Sequence, residues 1–325
     1  MKKFLKGLLY FGITFLLVGG IVVAVFVFSP AARNSYNGAY RKTVGWYEEP
    51  RLTEYTLDSL DSIDVKTASQ SIKVNVSDAA TEITVRYYTN WDGHITDNHS
   101  SSLKIEESWK QNWLYAVLPK IDLLVNKDVY IPLEITVPKN IDLTRLKAET
   151  TSGSIEIIGV TADALNLSAT NQNITVNGCD FRSTDISNVS GATDIKDSSL
   201  GGGGKIAHTS GNINLTNCVT FNDFKIKGSC ALTNCTLGDN NKIENMSGGV
   251  KVGRTSFIGL EISSTSGDIT VGDMIKIDLC NFEINAASGS IKVNGTNQGT
   301  VYNVTPSGWL SRLKINATSG NVKIN

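Results

Sequence analysis

Proline almost disappears from the second half of the sequence: five of the six lie at or before Pro138, and only Pro306 follows. A proline cannot donate to a β-ladder, so its near absence over that stretch points to continuous strand pairing. Charge is also sparse, at 19% of residues with a net of -1, which excludes strong nucleic-acid steering. Three histidines and five cysteines leave little material for metal or nucleophile chemistry. A hydrophobic content of 41% is too high for wholesale disorder, and 29 glycines without a triplet period are not collagen. No G-x-S-x-G, H-E-x-x-H or Walker pattern occurs. The run Gly201–Gly204 lacks the Lys-Ser/Thr of a phosphate loop and is read as a flexible bulge.

One long apolar run is present. Leu8 to Phe28 spans 21 uncharged residues, behind Lys2, Lys3 and Lys6. A helix of that length rises about 30 Å, enough for a bilayer core. The preceding lysines favour a cytoplasmic amino end. The expected organisation is a cytoplasmic end at 1–7, a transmembrane helix at 8–28 and a juxtamembrane linker at 29–51. The rival is a signal peptide cleaved at the small residues near Ser29-Pro30-Ala31, which gives a secreted protein; a secretory apolar region is usually shorter, about 7–15 residues. Both readings place the bulk of the chain outside the cytoplasm. Beyond the span, the 27 Lys and Arg left after Lys2, Lys3 and Lys6 face 31 Asp and Glu, a balance of -4.

Composition shifts near residue 150. Before it lie 13 of the 15 Trp and Tyr residues, and after it 22 of the 29 glycines. An aromatic β region at 52–150 is therefore distinguished from a Gly/Ser/Thr/Asn-rich region at 151–325.

The second region repeats. Thr151-Ser-Gly-Ser-Ile-Glu-Ile157, Thr209-Ser-Gly-Asn-Ile-Asn-Leu215, Thr265-Ser-Gly-Asp-Ile-Thr-Val271, Ala287-Ser-Gly-Ser-Ile-Lys-Val293 and Thr318-Ser-Gly-Asn-Val-Lys-Ile324 are copies of one unit. Weaker copies lie at Asn171–Val176, Val189–Gly191 and Met246–Val252, and a degenerate one near Ser229 fills a double-length step. An insertion around Asn297 to Trp309 precedes the last copy. A period of 19–20 residues is the signature of a solenoid. Alternation puts Ile269 and Val271 on one face and Thr270 on the other. The predicted fold is all-β: coils of strands stacked about 4.8 Å apart around a narrow aliphatic core. Gly153, Gly191, Gly211, Gly248, Gly267, Gly289 and Gly320 are the expected corners, where a positive φ excludes a β-carbon.

These segments resemble the bacterial putative-adhesin family of repeat domains of unknown function. Leu57–Val65 and Ile72–Val76 look like its opening strands, and Tyr130–Lys139 with Leu146–Ile155 like its central strands entering the repeats. The resemblance covers about residues 52–325. It implies a β-solenoid on the cell surface with adhesion or envelope-stress roles and no catalytic residues.

Candidate sites are few. Cys218 and Cys235 occupy matching places, as does Cys179, so they form a buried column of small residues, a disulfide across neighbouring coils or, with His208 and without any C-x-x-C, a zinc site. Asp92, His94, Asp97 and His99 combine metal-ligand types without strict spacing, and a solvated hairpin loop is the alternative. Trp109, Trp113 and Leu114 are an exposed aromatic contact surface or a cap on the open end of the solenoid. Only Arg182, Arg254 and Arg312 follow residue 150, and Asp163, Asp185, Asp194, Asp268 and Asp273 recur at no common place in the unit. The expected protein is thus not an enzyme and uses no cofactor. It is a non-catalytic surface binding, adhesion or envelope-stress scaffold. Its partners are the membrane, through its helix, and a cell-envelope polymer or surface protein, not nucleic acid. The rivals are a polysaccharide-acting β-helix enzyme and a purely structural spacer.

Overall fold

A computed structural model describes residues 51–68, 70–89, 94–108, 132–273 and 277–325. The chain divides into two compact units, residues 1–52, 88–94 and 109–131 in one, and 53–87, 95–108 and 132–325 in the other. Almost all of the first, including the apolar run 8–28, the linker before residue 51, and Trp109, Trp113 and Leu114, lies outside the described residues. Among the described residues no helix is long and apolar enough to cross a membrane. The second unit carries the repeats.

It is built almost entirely from strands, with one short 3-10 turn at Ile277–Leu279. Three parallel ladders run through it. The first joins eleven strands in the order 102–108, Ser62–Thr67, Leu143–Thr150, Thr161–Ala169, Asp180–Asn188, Lys205–Thr216, Lys225–Thr233, Asn241–Asn245, Gly259–Ser266, Ser311–Ser319 and Cys280–Ser288. The second joins the segments that follow the glycine corners, from Leu133–Pro138 and Ile72–Ser77 through Ile155–Ile158 to Val322–Ile324 and Ile291–Val293. The third is a narrow ladder of residue pairs such as Ser199–Leu200, Val219–Thr220, Thr236–Leu237 and Ser256–Phe257. At a spacing of about 4.8 Å, ten steps span roughly 48 Å.

The register explains the core. Strand alternation sends every second side chain inward, and parallel pairing without offset stacks like on like. One inward column of the second ladder runs Ile72, Ile155, Ile174, Thr193, Ile213, Cys230, Val250, Ile269, Val322 and Ile291, none more than 3% exposed. The first ladder contributes Val65, Ala148, Leu167, Ile186, Ile206, Ile226, Ile243, Ile262, Ile315 and Ile284, buried to the same degree. Each full burial of such a side chain contributes about 1.5–3 kcal/mol, so the stack holds by repetition of one modest term. The degenerate copy near Ser229 takes its place, with Cys230 between Ile213 and Val250.

Coil order departs from chain order at both ends. The carboxy-terminal coil, Ser311–Ser319 with Val322–Ile324, inserts between 259–272 and the coil of Cys280–Ser288 and Ile291–Val293. At the other end, Ser62–Thr67 and Ile72–Ser77 lie between the Leu143–Ile158 coil and the coil built from 102–108 and Leu133–Pro138. The insertion at Asn297–Trp309 supplies two antiparallel strands, Thr296–Gly299 on Ile291–Val293 and Val301–Val304 on Cys280–Ser288. Ile83–Thr89 likewise runs antiparallel to Leu133–Pro138. Antiparallel strands thus cover the end coils, whose open edges would otherwise template further pairing.

Gly201–Gly204 is a turn with exposed Gly202 and Gly203 at its tip and packed ends. Gly201 and Gly204 are buried. A β-carbon on Gly204 would meet the Phe224 ring at 2.7 Å and the Thr184 carbonyl at 2.8 Å, so the missing side chain makes room for the fully buried Phe224.

Candidate functional site

Two turns recur from coil to coil on either side of the second ladder, and each exposes a distinct chemistry. The first is the Ser-Gly corner. Gly191, Gly211, Gly248, Gly267 and Gly320 have φ between 91° and 128°. Gly153 and Gly289 do not adopt positive φ; there glycine is required by close approach, because a β-carbon would overlap the carbonyl of Gln70 or of Gly320. Except at Gly248, where a β-carbon would meet the Ser229 side chain, the stacked corners run backbone against backbone.

The second corner carries no sequence expectation. Gly159, Gly178, Asp197, Asn217, Asn234, Arg254, Asp273 and Asn294 all have φ between 47° and 69°. Asn and Asp tolerate this left-handed region because their short polar groups bond locally. The signal was in the sequence as Val176-Asn-Gly-Cys, Leu215-Thr-Asn-Cys and Leu232-Thr-Asn-Cys, one residue before each cysteine. Along the outside of this corner Asn217 Nδ2 donates to Asp197 Oδ1 at 2.8 Å, and Asn234 Nδ2 donates to Asn217 Oδ1 at 2.7 Å.

Immediately inside it stands a buried column, Val160, Cys179, Ser198, Cys218, Cys235 and Thr255. The five polar members share one role: each donates to the carbonyl two residues earlier. Ser198 Oγ reaches Lys196 O at 2.6 Å, Thr255 Oγ1 reaches Gly253 O at 3.0 Å, and the thiols of Cys179, Cys218 and Cys235 reach their carbonyls at 3.3–3.4 Å. Cys218 and Cys235 therefore occupy adjacent coils as free thiols, and Cys179 is separated from them by Ser198. Burial pushes the Cys179 thiol up. In the adjacent pair, the facing Cys235 thiol and then burial push the Cys218 thiol up. Cys230 and Cys280 sit elsewhere in the core, the former pushed up to about 12 by burial.

Of the metal candidates, Asp92 and the side chains of His94, Asp97 and His99 lie outside the described residues, although strand His94–His99 carries the last three. Among the described residues no group of three or more His, Cys, Asp and Glu is placed to hold a metal ion.

The outward faces differ in charge. On the first ladder, acids and lysines from neighbouring coils pair: Lys205 with Asp185 at 3.1 Å, Lys227 with Glu244 at 3.0 Å, Lys242 with Glu261 at 3.4 Å and Lys314 with Glu283 at 3.2 Å. On the second ladder Lys73 pairs with Glu134 at 3.7 Å and Glu156 at 4.0 Å, but the carboxy-terminal end behaves otherwise. Its outward column ends in Lys251, Thr270, Lys323 and Lys292, in register on four consecutive coils. All three lysines are exposed, and none forms an ion pair among the described residues. By strand spacing, three cations thus stand on one line of about 14 Å. This column was readable in Val250-Lys-Val252, Ile291-Lys-Val293 and Val322-Lys-Ile324, had the outward position been followed from copy to copy.

Two faces of in-register strands, a glycine corner and a buried small-residue column define a parallel β-solenoid repeat domain. The chain belongs to the Toastrack DUF4097 family, whose pattern it matches over residues 60–276 and 202–308. The family assignment agrees with the adhesin-like resemblance drawn from the repeats. No curated protein matches the chain. Among solved structures, a putative cell adhesion protein from Clostridium sporogenes is similar at 10% identity, with 85% of this chain and 99% of that one covered and a TM-score of 0.21.

Proposed function

We propose that the chain is a membrane-anchored, extracytoplasmic β-solenoid that acts by binding, and that its ligand is an anionic polymer of the cell envelope held along Lys251, Lys323 and Lys292. The observation that carries this reading is the unpaired lysine column itself. On the first ladder Lys205, Lys227, Lys242 and Lys314 are each neutralised by a carboxylate on a neighbouring coil; here three charges are left facing solvent in a straight line. A line of fixed cations complements a linear chain of phosphates or carboxylates, because each bound anionic unit releases counterions and neighbouring sites reinforce one another. The rigid stack sets the spacing in advance, so little ordering cost falls on the protein. The uncharged run 8–28 supplies the anchor and places the repeats outside the cytoplasm.

The test is retention of the full chain, in detergent micelles, on a purified phosphate-bearing cell-wall polymer at rising salt. At roughly 1 kcal/mol per lysine beside an anionic surface, replacing all three with glutamine weakens binding about 100-fold. Lys227→Gln, which removes an ion-paired lysine, leaves retention unchanged. Equal retention of the triple variant and the parent contradicts the proposal.

A further inference from the structure

We infer that Cys218 and Cys235 are a disulfide-forming pair that locks two neighbouring coils together when the chain meets an oxidant. Val219 pairs with Thr236 in the third ladder, so the preceding residues, Cys218 and Cys235, lie directly opposite each other. Thr236 N donates to Cys218 O at 2.9 Å, which fixes that register. Neighbouring parallel strands lie about 4.8 Å apart, inside the 4.4–6.8 Å Cα window of a disulfide. Both side chains take the same orientation, each sulfur beside the carbonyl two residues back, at 3.3 Å from Thr216 O and 3.4 Å from Thr233 O.

The other three cysteines are excluded by register. Cys179 faces Ser198 and is two coils from Cys218; Cys230 lies between Ile213 and Val250; Cys280 faces Ser311. Losing the two thiol protons also leaves those carbonyls satisfied. Thr216 O already accepts from Asp197 N at 3.0 Å, and Thr233 O accepts from Asn217 N at 3.0 Å. A bond formed here therefore replaces two surplus donors rather than a necessary pair.

The chemistry is ordinary thiol–disulfide exchange with a small-molecule disulfide as oxidant. One of the two facing thiols attacks as thiolate; one sulfur of the small disulfide leaves as thiol, and a mixed disulfide remains. The other cysteine then gives up its proton and attacks the first cysteine's Sγ, releasing the second small thiol. Two electrons and two protons pass from the protein to the oxidant. At 1% and 2% exposure the pair is reached during folding or on local opening of the Asn217–Asn234 corner. The inference is independent of the polymer reading, and its test uses no polymer.

Full-length chain is purified under reductant, incubated with oxidised glutathione to exchange equilibrium under folding conditions, then denatured and alkylated. Three of the five thiols are expected to alkylate, with a Cys218–Cys235 cross-link in the peptide map. The melting temperature rises by roughly 5–10 °C, the size expected for closing a loop this short. Cys235→Thr, which keeps a donor as Thr255 does one coil on, folds and loses both effects. Five alkylated thiols after oxidation of a folded chain, a stable glutathione adduct, or a cross-link between any other pair overturns the inference.

Discussion

Gly267→Ala is expected to be among the most damaging single-methyl additions in the protein. Gly267 has φ of +113°, outside every well open to an L side chain. Holding a residue there costs about 1–3 kcal/mol. The new β-carbon would also overlap the Gly248 carbonyl, whose carbon is 2.7 Å away. The two coils cannot separate to relieve this. Gly267 N donates to Ser319 O at 3.1 Å, and Ile269 pairs with Val250 on one side and Val322 on the other. Overpacking of this kind adds roughly 1–3 kcal/mol, for a combined loss of about 2–6 kcal/mol. Gly178 is the control. Its φ of +65° lies in the left-handed well and nothing stands within 4 Å of its β-carbon position, so Gly178→Ala costs about 1–2 kcal/mol. Gly178→Asn costs less, since Asn217 and Asn234 hold the same corner at 55° and 57°. Denaturant unfolding followed by circular dichroism orders the three variants. If Gly267→Ala unfolds at the same midpoint as Gly178→Ala, close backbone stacking at the Ser-Gly corner is wrong.

Other outcomes follow from the same packing. Ile269→Asp places a carboxylate at a fully buried position between Val250 and Val322, at a cost of several kcal/mol, and should unfold several coils; unchanged melting contradicts the packing. His208 has Nε2 2.7 Å from Thr193 Oγ1 and an Nδ1 without a partner among the described residues, and burial lowers its pKa. The folded chain then binds fewer protons than the unfolded one, so stability present above the ordinary histidine pKa of about 6.5 falls as pH drops through it. His208→Gln should flatten that part of the stability–pH curve, and an unaltered curve refutes the assignment. Fractionation should leave full-length chain in the membrane pellet, whereas a soluble form beginning near Ala32 would mean cleavage.

The coil itself was legible because one stacking rule repeats. Ile269-Thr-Val271 and its counterparts declare both the inward face and the corner, and parallel pairing does the rest. Coil order was not legible, for the same reason. Ala287–Val293 and Thr318–Ile324 carry nearly the same pattern, so each fits against Ile269–Gly272 and no local residue states which one does. The choice falls to the insertion at 297–309, whose antiparallel strands need an outermost coil to cover. The Asn/Asp corner escaped notice because four residue types fill it, although all meet one demand for positive φ. Gly204 was misread because its purpose, space for the Phe224 ring, lies one coil away in the chain.

Cross-linking across the end coils tests the stacking most directly. Cysteines are introduced in pairs at Thr270 and Lys323, at Lys323 and Lys292, and at Thr270 and Lys292, all on one outward column. Under mild oxidation the first two pairs should form intramolecular disulfides, and the third, two coils apart, should stay reduced. Linkage of Thr270→Cys to Lys292→Cys, with the Thr270→Cys and Lys323→Cys pair staying reduced, would mean that coils stack in chain order and that this ladder is wrong.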